Sequence, residues 1–470
     1  MEASDGDGGL RRNAIALPQA LFQSITHMAP GAAIAFSLLV SIQFAGPALP
    51  LSVLLALVGC VCVAASIGQL AKEMPSAGGL YTYVARSLGP QAGFMVGWAY
   101  LLFEPLVAPL LFLIFAWTTK DMVSAQHHGL HWTYTGQWWI WVLLSAGIVF
   151  FLTYRDVRLS TRAGVILGVF EVTVFVALSL WMILSNPGRL TLQTFNPDRA
   201  AGGTYRGIFK GMVFAVLAFI GFESAAPLGE EARNPRWTIP RAVVGSAVGI
   251  GLFYVFCSYA WVIGTGFDRF TTAATSSANP WRDLGIVFWS GGWVLIFAAI
   301  VNSALANSNA GVTAASRVMY SLGRNGVLPR AFGRTHPVHR TPHVAIVAQT
   351  AFGVAVALLL GWRYGDLITA FTIIATTITI VVIVVYIVVC ASTIVYFARR
   401  PEHTPWLHWL VPILGAAVFI PPLYYQYFPL PPYPIRSAVW IALGWIVAGI
   451  VVTAFVPRRV LDDVDRLFVE

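Results

Sequence analysis

The stretch AFIGFESAAPLGEEARNPRWTIPRA, Ala218 to Ala242, decides the fold. It opens as an apolar helical run, and Gly221 and Glu223 interrupt that run in its middle. Irregular backbone is tolerated at membrane depth only where it lines a cavity or is buried in protein. An intramembrane carboxylate is costly unless it has a partner or a task. The segment therefore reads as part of a broken helix that borders a binding site.

Working outward, the rest of the chain has a membrane composition. Of its 470 residues 57% are hydrophobic and only 10% charged, mean hydropathy is +0.73, and the apolar runs are too long and too many for a soluble core. Windows of about 20 apolar residues are read as crossings. They predict an all-α polytopic membrane protein with twelve transmembrane helices, near residues 18–44, 48–71, 91–119, 136–155, 163–185, 207–230, 239–264, 289–320, 343–362, 366–397, 406–427 and 435–456.

Orientation follows the bias of Lys and Arg toward short cytoplasmic loops. With the N-terminus inside, 20 of the 29 basic residues fall on cytoplasmic segments, Arg155, Arg158, Arg233, Arg236 and Arg334 among them, and 9 fall outside. Both termini are expected in the cytoplasm, and the chain in the inner (plasma) membrane. The net charge of +9 then belongs to the inner loops, and no nucleic acid partner is expected.

Residues 1–17 lack the apolar core of a signal peptide and read as a cytoplasmic tail. Cys60, Cys62, Cys257 and Cys390 lie in apolar runs, where they act as small buried hydrophobes. His127, His128 and His131 cluster on an external loop, but no acidic or Cys ligand follows closely and no metal is expected there.

A second break lies in the first crossing. In SITHMAPGAAIAF, Ser24 to Phe36, Pro30 removes a backbone donor and Gly31 permits non-helical dihedrals. Its counterpart five crossings later is Ala218 to Ser224. Matched breaks are the mark of transporters built from inverted repeats. The expected architecture is crossings one to five and six to ten as the repeats, with eleven and twelve added. The boundaries are residues 1–17 for the N-terminal tail, 18–400 for the ten-helix core, 401–457 for the last two crossings and 458–470 for a cytoplasmic C-terminal tail.

Three strings in order, EMPSAGGLYTYV (Glu73 to Val84), GFESAAPLGEEARNPRWTIPRA (Gly221 to Ala242) and SRVMYSLGRNGVLPRAFGRTHPVHRTPHVA (Ser316 to Ala345), resemble the amino acid permeases of the amino acid, polyamine and organocation transporter superfamily. The resemblance covers nearly the whole chain. It implies a LeuT-like 5+5 fold with a substrate site near the midplane, between the unwound parts of crossings one and six and reached alternately from either side. The physics agrees, since half-helix N-termini suit a carboxylate and unwound carbonyls suit an ammonium group.

Carried over by position, Ala29, Pro30, Gly31 and Ala32 would offer amides to a carboxylate. Phe219, Ile220 and Gly221 would offer carbonyls to an amine, and Phe219 and Phe222 would close over the substrate. The first crossing departs from the Gly-Ser-Gly type of turn common in these permeases. That departure keeps amines without a carboxylate, such as polyamines, open as substrates.

Glu104, Glu171 and Glu223 lie within crossings three, five and six with no Lys or Arg deep beside them, so each must be protonated, hydrated or facing a cation. Glu171 stands where some proton-coupled relatives have a lysine, and with Glu104 it is the candidate for proton coupling or a cation site. Glu223 is taken to support the unwound segment. Sodium is the competing ion, with Asn302, Ser303, Asn307, Ser308 and Asn309 as polar residues on crossing eight, although such residues also serve close helix packing.

No P-loop or nucleophile elbow is present, so no cofactor and no enzyme chemistry are expected. The expected function is secondary active transport of an amino acid, by proton symport or exchange. A polyamine or other organic amine carrier is the alternative, and a membrane sensor on a transporter scaffold the alternative of another class.

Overall fold

The computed structural model describes residues 15–76, 78–124, 137–155, 161–324, 328–339, 341–398 and 400–455. The His127, His128 and His131 cluster lies outside them, as do residues 1–14 and 456–470. Among the described residues the architecture is all-helical, apart from one isolated bridge between Ile15 and Ala232. Among the described residues ten helical stretches are long and apolar enough to cross a membrane, Leu17–Glu73 counting as one, and Trp138–Tyr154 is a shorter apolar helix. The chain is a multi-pass membrane protein.

In chain order the helices are α1 (Leu17–Met28), α2 (Pro30–Ala32), α3 (Leu38–Ala45), α4 (Leu49–Glu73), α5 (Leu80–Leu88), α6 (Pro90–Ser124), α7 (Trp138–Tyr154), α8 (Thr161–Ser185), α9 (Tyr205–Phe219), α10 (Pro235–Thr265), α11 (Phe270–Ser276), α12 (Pro280–Trp289), α13 (Trp293–Arg324), α14 (His343–Tyr364), α15 (Leu367–Phe397), α16 (Val411–Tyr427) and α17 (Arg436–Phe455). A widened π turn, Ala33–Ser37, joins α2 to α3, and a 3-10 stretch, Phe222–Leu228, follows α9. The segment between the crossings expected at 239–264 and 289–320 holds the short helices α11 and α12. Their runs are too brief to register in a window of about 20 residues.

Packing pairs helices far apart in sequence: α4 runs along α10, α6 along α13, α3 along α9 and α7 along α14. Inside α6, Pro109 has no N–H for the carbonyl of Pro105. The freed oxygen is taken by the side-chain amide of Gln349 on α14, at 3.0 Å. At the periphery α17 is held to α6 by a reciprocal indole pair. Trp98 and Trp445 stack at 4.6 Å, and each Nε1 donates to the other residue's carbonyl, at 2.9 and 2.8 Å. Gly449 makes room for it, since a β-carbon there would lie 2.5 Å from Cδ1 of Trp98. All four cysteines are buried and free.

Candidate functional site

The first break falls at Ala29, whose backbone is left-handed (φ 47°, ψ 64°). A non-glycine residue in that region costs on the order of 1–2 kcal/mol. Pro30 then opens α2 at the first helical position, where a missing N–H deprives nothing of a partner. Gly31 and Ala32 come next, and their amides have no intrahelical carbonyl within reach. The Ala29 amide donates instead to the carbonyl of Thr26, at 3.2 Å. Of the four residues singled out on this crossing, Gly31 and Ala32 thus hold the available donors.

The second break begins where α9 ends. Ile220 turns extended (ψ 127°) and Gly221 adopts φ 119°, a conformation that L side chains rarely adopt. Glu223 folds back on this turn. Its Oε2 accepts the Gly221 N–H at 3.0 Å and the hydroxyl of Tyr386 at 3.0 Å. Glu223 therefore braces the unwound backbone.

The two breaks meet face to face. Ser24 Oγ donates to the carbonyl of Phe222 at 2.8 Å. The hydroxyl of Tyr254, on α10, lies 3.1 Å from the Met28 carbonyl and 2.9 Å from that of Ala218, one donor shared by the ends of both broken helices. A β-carbon on Gly221 would stand 2.7 Å from the carbonyl carbon of His27, so glycine is what lets the chains touch.

Beside this junction is a cavity of about 40 Å³. Its polar wall includes His27, Ser37 and Asn307, with Ala29 and Ala32 of the first break. Apolar side chains of α6, Val107, Leu110, Leu111 and Ile114, close it, with Leu217, Ile220 and Ile378. Phe219 and Phe222 are not in this wall. They are buried, packed edge-on against Tyr254 at 5.4 Å and tilted against Tyr386 at 5.3 Å respectively.

Glu171 is buried on α8, and its Oε2 accepts from the Asn302 side chain at 3.3 Å. The same region adjoins the first break, because a β-carbon on Gly31 would lie 3.2 Å from both Phe175 and the Ala299 carbonyl. The other polar residues of α13 are divided in role. Ser308 bonds its own helix at Ala304, at 2.7 Å, and Asn309 accepts from Thr153 of α7, at 2.8 Å. Asn307 faces the cavity.

Glu104 is also buried, and its Oε1 lies 3.9 Å from Nε2 of His27. Sequence reasoning passed over His27, Tyr254 and Tyr386. His27 left a legible sign, an ionisable side chain two residues ahead of the break. The two tyrosines left none, being single aromatics in apolar runs.

The statistical model of the family described as amino acid permease matches residues 19–459. The chain belongs to that family. This permease is 28% identical over 309 residues to the low-affinity putrescine importer PlaP of Escherichia coli, covering 63% of this chain and 64% of that protein. It is 27% identical over 333 residues to the branched-chain amino acid permease BcaP of Lactococcus lactis subsp. cremoris, covering 66% and 69%. It is 26% identical over 365 residues to the glutamate/serine transporter AimA of Bacillus subtilis, covering 71% and 64%. The permease thus matches a little under two thirds of the length of the putrescine importer. Among solved structures, a manganese transporter of Eremococcus coleocola shares the fold, with a TM-score of 0.58 at 12% identity over 96% of this chain and 94% of that one.

Proposed function

We propose that this permease is a secondary active transporter that carries an amino acid across the cytoplasmic membrane by alternating access. The observation that carries the reading is the junction of the two breaks. The first break carries the amides of Gly31 and Ala32 and the second the carbonyls of Phe219, Ile220 and Gly221, and the breaks meet beside a cavity whose wall includes Ala32 and Ile220. A zwitterion complements that arrangement.

The architecture behind it is twelve crossings, two inverted repeats of five with α16 and α17 added, and both termini in the cytoplasm. Support comes from the packing, where the second crossing lies on the seventh, the third on the eighth and the fourth on the ninth. Glu171, at the seam of α8 and α13, is the proton-coupling group, with exchange of solutes as the alternative cycle.

A second reading, an organic amine carrier, is favoured by two buried carboxylates near the junction, Glu104 and Glu223, with the imidazole of His27 as the nearby base. Among the relatives, a putrescine importer agrees with it and a branched-chain permease with the first. Melting of the purified protein across amino acids and their decarboxylated amines separates them, since a ligand that binds the folded state raises its melting temperature by mass action. Stabilisation by an amino acid and not by its amine supports the first reading. The reverse supports the second, and silence across both panels refutes transport of either.

A further inference from the structure

Glu104 and Glu223 are both buried, yet they are satisfied very differently. Glu223 has its Oε2 filled by an amide and a hydroxyl. Glu104, 7% exposed on α6, has an Oε2 with no hydrogen-bond partner. Its Oε1 stops 3.9 Å from His27 Nε2, longer than a hydrogen bond. Buried polar atoms in folded proteins are nearly all paired, and an exception calls for an explanation. Among the described residues no Lys or Arg is buried, so the protein itself supplies no further cation at this depth. His27, the side chain facing Glu104, lines the cavity. Glu104 is not itself in the cavity wall and reaches it through His27, and a carboxylate left unfilled there suits a charged N–H donor that arrives with the solute.

We propose that Glu104 is the specificity-determining residue of this permease, receiving a cationic amino group at the far end of the substrate. The transported solutes are then those with two amino groups, diamines or basic amino acids. The assignment rests on the transport reading above and goes beyond it in naming the substrate class. His27 stands beside Glu104, and the incoming ammonium takes its place there.

The test is equilibrium binding to the purified full-length protein with two matched pairs, 1,4-diaminobutane against n-butylamine and L-ornithine against L-norvaline. Each pair differs by one terminal amino group. The diamino member is expected to bind about 10- to 100-fold more tightly, the worth of a hydrogen bond to a charged group. Glu104→Gln should bring that ratio close to one while binding of the monoamino member persists, which also shows that the variant is folded. Glu104→Asp, which keeps the charge, should keep the preference. A wild-type ratio near one, or an unchanged ratio in Glu104→Gln, overturns the assignment. Binding of L-norvaline without any diamino preference overturns it alone, whereas failure of every probe to bind overturns the transport reading with it.

Discussion

Gly221→Ala is the sharpest perturbation of the junction, because two independent effects act at one atom. The backbone at this position has φ 119°, where a β-carbon strains the chain whatever the space around it. Holding a non-glycine residue in such a region costs on the order of 1–3 kcal/mol. The same β-carbon would lie 2.7 Å from the His27 carbonyl carbon, 2.9 Å from its oxygen and 2.9 Å from Cδ2 of its ring. Two of those atoms are backbone and cannot rotate away. Overpacking of this kind costs about 1–3 kcal/mol more. The total is about 2–6 kcal/mol, relieved only if the two breaks part by several tenths of an ångström. Since the proposed donors and acceptors belong to those breaks, binding should suffer along with stability.

Gly249→Ala supplies the matching control. Gly249 lies inside α10 with nothing within 4 Å of its would-be β-carbon and no positive φ. Alanine there should be neutral or stabilising, by up to about 1 kcal/mol. Thermal melting of both variants, together with initial uptake rates per folded protein in liposomes, measures the contrast. A Gly221→Ala protein that melts and transports like its parent would refute the claim that the breaks touch at His27.

Three further perturbations follow from the same geometry. Glu171→Gln should abolish pH-driven accumulation while leaving equilibrium exchange largely intact, and unchanged uphill uptake in liposomes would remove Glu171 from the coupling step. Tyr254→Phe strips the hydroxyl shared by Met28 and Ala218 and should lower stability by about 1–3 kcal/mol, one bond's worth of stranded buried acceptor and not two, because the hydroxyl has a single proton; a melting temperature equal to the parent's would count against the bridge. Trp445→Ala should cost on the order of 2 kcal/mol, less than the 3–5 typical of a core tryptophan because the ring is only half-buried, and leave uptake per folded protein unchanged; loss of transport without loss of stability would show that α17 does more than pack.

Gly221 and Glu223 announced the second break because neither has a passive place in an apolar run. The first break was legible to within one residue. Sequence reasoning put the irregular backbone on Pro30 and Gly31, but a proline ring fixes a φ that suits a helix start and disfavours the right-handed helical region for the residue before it. The strain therefore falls on Ala29. The pairing of His27 with Glu104 spans 77 positions and depends on how α1 and α6 come together, which no local pattern encodes. The same holds for Tyr254, whose hydroxyl finds carbonyls on two other crossings.

The cavity of about 40 Å³ has room for roughly three waters. Even glycine has more non-hydrogen atoms than that, so any amino acid or amine must part the walls. The walls differ in what parting would cost. The α1 side is tied to the second break by Ser24 to Phe222, by Tyr254, and below it by Ile15, which donates to Glu231 at 3.0 Å and accepts from Arg233 at 2.7 Å. Separating the Ser24–Phe222 and Tyr254 ties would strand buried donors and acceptors, each at about 1–3 kcal/mol. Toward α6 the lining is Val107, Leu110, Leu111 and Ile114, and the polar approach across that seam is the 3.9 Å gap between His27 and Glu104. Apolar contacts are non-directional and can be exchanged for contacts with a solute's own carbon chain. Room for a substrate is therefore made most cheaply on the α6 side, where a cationic group entering the seam finds Glu104 at its end.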